Sequence, residues 1–185
     1  GAGNAILGNS IHSNASLGID LTNAGVTPND VGDADTGPNN LQNFPALTLA
    51  RTNGSGSFEI TGSINSTANT YIRIEIFAST ANDATGYGEG QTYLGFVNVL
   101  TDGSGNASFS TTLSATVAAG AFISATATKS VAGYGSFSDT SEFARSVVAI
   151  STVQNTLVVD TAADTVDGDT TSLSTLLATK GADGF

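Results

Sequence analysis

The chain contains no cysteine, methionine or tryptophan, and only five of its 185 residues are Lys or Arg. Without Cys there is no disulfide framework, no thiolate zinc site and no Cys nucleophile. Five dispersed cations against 16 Asp and Glu give a net charge of −11. Such a chain cannot neutralise a run of phosphates, so nucleic acid is not an expected partner. The same charge disfavours an anionic membrane surface. No apolar run approaches the roughly 18 residues of a spanning helix, so no membrane insertion is expected. The lack of Met even at position 1 implies a processed product or a segment of a longer chain, and no signal peptide is visible. His12 is the single histidine. No partner base or nucleophile stands near it in sequence, so no catalytic role is expected of it.

What is present favours strands. Apolar residues make up 39% of the chain, enough for one core and an appendage. "SFEITGSIN" (57–65) places Phe58, Ile60 and Ile64 on one face, and "TYIRIEIFAS" (70–79) does the same with Ile72, Ile74 and Ile76. In the second, Tyr71, Arg73 and Glu75 point outward, and an exposed ion pair of Arg73 with Glu59 or Glu75 is expected to be worth little. "QTYLGFVNVLT" (91–101) is apolar on both faces and predicts a central strand. With 44–50, 106–114, 120–130 and 140–150 the count is seven short strands, which fits an immunoglobulin-like antiparallel β-sandwich. Asp-Gly in "TDGSGN" (101–106) predicts a hairpin.

Both flanks read differently. In "GNAILGNSIHSNASLGIDL" (3–21), Asn4, Asn9 and Asn14 recur every five residues, and so do Ile6 and Ile11. That is the pattern of one solenoid turn, with the Asn residues as a stacked ladder, and such a turn needs a neighbour on its open face. Residues 154–185 begin with a fresh strand, "TLVVDTA", and a helical turn or two is expected near Leu173–Ala178. The predicted organisation is therefore 1–43, a terminal coil with an Asp-rich loop; 44–153, the sandwich; and 154–185, the opening of an incomplete β-module.

These stretches, together with "GVTPNDVGDADTGPNNLQNFPAL", "GYGEGQTYLG", "ISATAT" and "DTSEFA", resemble large bacterial surface proteins that alternate right-handed parallel β-helix and Ig-like sandwich modules. The resemblance covers nearly the whole chain. It implies an extracellular, tandem, adhesin-like protein in which the coil belongs to a neighbouring module or to another copy of the chain. The Leu-Arg-Glu-Ala element that follows the tail in such proteins does not occur here.

The strongest chemical signal is "NDVGDADTG" (29–37). Asn29, Asp30, Asp33 and Asp35 crowd hard oxygen ligands into one loop. Two carboxylates about 4 Å apart repel by roughly 4 kcal/mol at an effective dielectric near 20. A Ca²⁺ would relieve that, and Gly32 and Gly37 permit the sharp turns. The competing reading is a solvated loop of Asx-turns. Asp160, Asp164, Asp167 and Asp169 form a second, weaker acidic cluster, with Asp164, Asp167 and Asp169 as candidate Ca²⁺ ligands. In the loop 79–91, Asp83, Tyr87 and Glu89 could bind glycan, with Gly86, Gly88 and Gly90 allowing close approach; the alternative is a plain crossover loop. Lys129, near Asp139 and Glu142 in sequence, reads as an exposed lysine rather than the amine of an internal amide crosslink.

Three functions follow. The first is a non-catalytic structural or adhesive module, a spacer or head-to-tail fibre subunit with Ca²⁺-rigidified junctions, whose partners are copies of itself or neighbouring modules. The second is a Ca²⁺-dependent carbohydrate-binding sandwich, for which Tyr87 with Glu89, or Tyr134, supplies the aromatic platform. The third is a non-catalytic piece of a β-helix polysaccharide lyase. One coil with a single His and no Lys or Arg in residues 1–21 cannot form such a centre.

Overall fold

Period-2 alternation of Ile and Phe drives residues 46–151 into two sheets, in a computed structural model that describes residues 1–22 and 24–152. The first sheet has the order β5 (Asn106–Leu113), β2 (Phe58–Asn65), β1 (Ala46–Thr52), β9 (Ile150–Ser151). The second has the order β4 (Thr92–Leu100), β3 (Tyr71–Ser79), β6 (Phe122–Ser130), β7 (Phe137–Thr140), and β8 (Val147–Val148) also pairs with β6. All pairings are antiparallel except β1 with β9. Phe58, Ile60, Ile64 and Phe109 of one sheet meet Ile72, Ile74, Ile76 and Ile123 of the other in a single core. Each such side chain contributes about 1.5–3 kcal/mol on burial. The chain is all-β with a sandwich-like pair of sheets, and among the described residues its only helical pieces are two short 3₁₀ turns.

Several expectations change. β4 is an edge strand, not a central one. Its doubly apolar pattern arises because only one side is covered: Val99 is buried, whereas Tyr93, Phe96 and Leu100 are exposed. "TDGSGN" does not close a hairpin, since β4 and β5 lie in different sheets. The Asp102 carboxylate accepts from Ser104 N and Asn106 N and folds the loop on itself. That loop then clips to the neighbouring crossover 66–70 through Ser66 N to Gly105 O at 2.9 Å and Asn69 N to Asp102 O at 3.1 Å. The stretch 140–150 is not one strand. Residues 141–144 are buried throughout instead of alternating. Side chains supplement two backbone bonds to β6 there: Ser141 N donates to Ala127 O and Ala144 N to Ala125 O, while Ala127 N donates to Ser141 Oγ at 2.9 Å and Ser124 Oγ to Ala144 O at 2.7 Å.

The described residues among 1–45 hold no strand, only an isolated bridge of Ile11 with Gly90. Their apolar side is nevertheless used. Ile19 is buried with Phe77 and Phe143, and Ile6, Ile11 and Leu21 pack around them in a cluster distinct from the main core. The Asn residues form no ladder. Asn4 bonds Asn39, Asn9 donates to Leu7 O, and Asn14 meets Glu89. A second turn, Pro38–Leu41, holds three successive left-handed residues: Asn39 (φ 47°), Asn40 (φ 50°) and Leu41 (φ 50°). Each costs on the order of 1–2 kcal/mol. Hydrogen bonds from Asn39 Nδ2 to Asn4 O and Thr140 O, and from Asn40 Nδ2 to Asp139 Oδ2, hold it.

Gly105 sits at φ +81°, and a Cβ there would stand 2.0 Å from Ser66 O. Gly105→Ala is expected to destabilise the fold by more than about 2 kcal/mol, measured by urea denaturation. Gly103→Ala, with open space around it, is the control.

Candidate functional site

The Asp-rich loop is built around Asn43. Its backbone N–H donates to Asp33 Oδ1 at 2.8 Å, its Oδ1 accepts from Asp30 N, and its Nδ2 donates to Asp30 O and Asn65 O. Gly32 (φ +79°) and Asp33 (φ +56°) make the turn that this requires. The result brings carboxylate oxygens of Asp30, Asp33 and Asp35 within 4.8 Å of one another. Asp30 Oδ1 and Asp35 Oδ1 are sealed from water with no donor. Burial first, then the Asp30 and Asp33 charges, push the Asp35 carboxyl above its ordinary value. Asn29 is not brought to the cluster. Its amide is spent on Phe44, accepting from the N–H at 3.0 Å and donating to the carbonyl at 2.8 Å.

Lys129 enters this site from β6, and it is not the exposed lysine of the sequence reading. It stands opposite Ile72 in the ladder, on the core side, with a side chain only 17% exposed. Its ammonium lies 2.8 Å from Oδ2 of Asp33, whose side chain is fully buried. Ser66 Oγ and Thr67 Oγ1 donate to the same oxygen. The loop therefore holds an internal cation at Asp33, while the two donor-free oxygens belong to its neighbours. That donor set, hard oxygens in a small space, suits Ca²⁺, with Asp30 and Asp35 offering free oxygens and Asp33 shared with Lys129. Asp164, Asp167 and Asp169, like Asp160 and the helical turn expected near 173–178, lie outside the described residues.

A second polar system escaped the sequence reading. The strandless N-terminal segment has backbone N–H groups without ladder partners, and carboxylates from strands and loops of the sandwich accept them. Gly3 N donates to Asp139 Oδ1 at 2.5 Å and Gly8 N to Glu75 Oε2 at 2.7 Å. Ser13 N and Asn14 N donate to Glu89 at 2.8 and 3.0 Å. Leu21 N and Thr27 N donate to Glu142 at 2.9 and 2.8 Å, and Thr27 Oγ1 adds a third bond. Glu75 does point away from the core as its alternation demands, but it is 3% exposed because this segment covers it. Neither Glu59 nor Glu75 makes an ion pair with Arg73; Glu59 meets Arg51 at 3.8 Å on the surface.

The proposed glycan residues are engaged in this scaffold. Glu89 caps the N-terminal segment, Asp83 closes an Asx-turn on Thr85, and the Tyr87 ring packs edge-on against Phe44 at 5.4 Å. The nearby glycines serve packing: a Cβ on Gly88 would meet Ser124 at 2.2 Å, and one on Gly90 would meet Phe143 and Phe77 at 2.8 Å. Asp83 sits below the ordinary carboxyl value chiefly because the Thr85 hydroxyl and N–H bond its charged form. His12 is exposed, with Nδ1 3.0 Å from Ser13 Oγ.

Two substitutions test the dock. Glu142→Ala removes the acceptor of three hydrogen bonds at a buried position, and about 3 kcal/mol or more should be lost. Hydrogen exchange should speed first at Leu21 and Thr27. Glu75 behaves differently. Burial pushes its carboxyl above the ordinary 4.5, and the Gly8 N–H and Arg73 pull back only part of that. Between the ordinary and the raised value the folded state holds more protons than the unfolded. Stability due to this group therefore falls as pH rises through that window and is flat above it. Glu75→Gln keeps an acceptor for Gly8 and has no charge to bury. The difference in unfolding free energy, variant minus parent, should rise with pH across that window and be zero or positive at neutral pH.

No protein-family model matches the chain, and no curated protein matches it.

Proposed function

We propose that the chain is a non-catalytic structural or adhesive module of an extracellular bacterial surface protein, a spacer or head-to-tail fibre subunit. One observation carries this reading. Residues 1–22 form no sheet of their own, yet carboxylates from several strands and loops hold them in place, and one side of the turn stays open. On that side Ile6, Ile11, Ile19 and Leu21, with Pro38 and Asn39, line a groove of about 350 Å³. In this reading the segment is a terminal β-helix coil, and the groove takes the apolar edge of a preceding coil or of another copy. The fixed coil gives the neighbour a rigid end to stack on, and the adjoining sheets, read as Ig-like, act as the spacer.

Ca²⁺ stiffens the junction in this proposal. Support comes from the two donor-free oxygens of Asp30 and Asp35 and from the short loop that joins them to β1. Lys129 would compete with the ion for Asp33. A carbohydrate role resting on Asp83, Tyr87 and Glu89 gains no support from the geometry, because the two carboxylates already have backbone partners.

The test is sedimentation and negative-stain microscopy with Ca²⁺ at about 2 mM, the range of weak extracellular sites, and then with chelator. End-to-end assemblies that shorten on chelation, and that Ile11→Asp abolishes, are the expected result. Lys129→Met should bind Ca²⁺ more tightly and should be less stable than the parent in chelator, because three carboxylates lose the cation that stands among them. Monomers under both conditions would sink self-assembly as the mode of action.

A further inference from the structure

Lys129 and Asp33 stand in a relation unlike that of a surface pair. Arg51 and Glu59 meet at 3.8 Å with side chains 47% and 39% exposed. The Lys129 ammonium lies 2.8 Å from Asp33 Oδ2, and no part of the Asp33 side chain reaches solvent. Asp139 and Glu142, the acids nearest Lys129 in sequence, are occupied by the N-terminal segment. The ammonium is therefore aimed at one carboxylate, and folding has brought the two together from distant parts of the chain.

The two oxygens of Asp33 are held differently. Oδ1 accepts one hydrogen bond, from the Asn43 backbone N–H at 2.8 Å. Oδ2 accepts from Ser66 Oγ at 2.9 Å and Thr67 Oγ1 at 3.3 Å, beside the ammonium. The Ser66 hydroxyl is pinned in turn. Gln42 Nε2, itself fixed by Asn43 O, donates to the Ser66 oxygen at 3.0 Å, so the Ser66 proton is directed at Oδ2. Both Ser66 and Gln42 are buried. One oxygen thus faces a fixed backbone donor, where negative charge can gather, and the other is crowded with proton donors, as a leaving oxygen must be. Two opposite charges buried together also carry a desolvation cost that a neutral amide does not.

We propose that Lys129 and Asp33 condense into an internal amide that ties β6 to the loop before β1. A proton passes from Nζ to Oδ2, leaving an amine and a carboxylic acid. The nitrogen lone pair attacks Cγ and forms the C–N bond while Oδ1 takes up charge opposite the Asn43 N–H. A second proton moves from the nitrogen to the departing oxygen through the Ser66 hydroxyl. The Cγ–Oδ2 bond breaks, Oδ2 leaves as water, and the nitrogen keeps one hydrogen. No other reactant is consumed. Groups fixed in contact react at effective concentrations of roughly 10⁵–10⁸ M, well above that of water, which favours the amide. The bond removes one positive and one negative charge together, so the acidic loop keeps its net charge and the Ca²⁺ reading stands or falls separately. β1 to β5 lie between the joined positions. Tension entering at one end of the described chain and leaving at the other then crosses the bond and bypasses those five strands.

Intact mass spectrometry of the full chain, folded in chelator and denatured only for the measurement, tests the proposal. The chain should weigh one water less than its sequence. Trypsin should leave Lys129 uncut and give a branched product joining 1–51 to 74–145. Lys129→Arg keeps a cation at Asp33 but should show the full sequence mass and unfold at lower urea concentration than the parent. Chain recovered unfolded in urea from inclusion bodies should start at full mass and lose the water after refolding, at least about tenfold more slowly in Ser66→Ala. Circular dichroism checks that each variant is folded. Full sequence mass in the folded parent after days of incubation would overturn the proposal. So would a water loss that persists in Lys129→Arg, or one that maps outside those two peptides. Water loss at the parental rate in Ser66→Ala would overturn the relay.

Discussion

A backbone N–H taken out of water must find an acceptor, and most of this structure is arranged around that requirement. The strands meet it by pairing. Residues 1–45 have no ladder, and they meet it with carboxylates. Asp139, Glu75, Glu89 and Glu142 each accept from the N-terminal segment, and Asp33 accepts from Asn43. Hydrogen bonds to charged acceptors are worth roughly twice neutral ones, which suits a segment that gains few apolar contacts. The packing cluster of Ile19, Phe77 and Phe143 is small. It fixes which face the segment covers, and the carboxylates fix its register along that face.

This changes what the acidic composition means. A net charge of −11 reads as a solvated surface, and some of it is. Yet Asp33, Glu75, Asp139 and Glu142 are all below a tenth exposed. Their charges serve as caps for irregular backbone, and among the described residues only Asp33 has an ammonium in contact. The cost of burying such charges is visible in Glu75 and Asp35, both driven above the ordinary carboxyl value chiefly by desolvation.

The strands were legible because each rests on local alternation: β2, β3 and β6 stand within a residue or two of their predicted positions. Sheet membership was not, because the same polar turn chemistry serves a hairpin and a crossover. Asp102 closes its loop on its own N–H groups in either case. The Asp30, Asp33 and Asp35 cluster was legible from spacing alone. Its partner Lys129 was not, being some 96 positions away from Asp33 and brought there by β6 lying beside β3. Nor could alternation reveal that Glu75, outward on its strand, would lie under Gly8. The one available signal was the run of Gly and Asn in residues 1–18, which offers many backbone donors and few side chains to cover them.

The left-handed turn Asn39–Asn40–Leu41 depends on parts of the chain far from it in sequence. L-residues do not nucleate a helix of that hand by themselves. The turn is stable only when Asn4 O, Thr140 O and Asp139 Oδ2 are already in place to receive its amides, and these come from opposite ends of the described chain. The turn therefore keeps its hand only where the N-terminal segment and the end of β7 stand beside it. The mirror-handed turn works as a latch, joining the two ends of the described chain at one point.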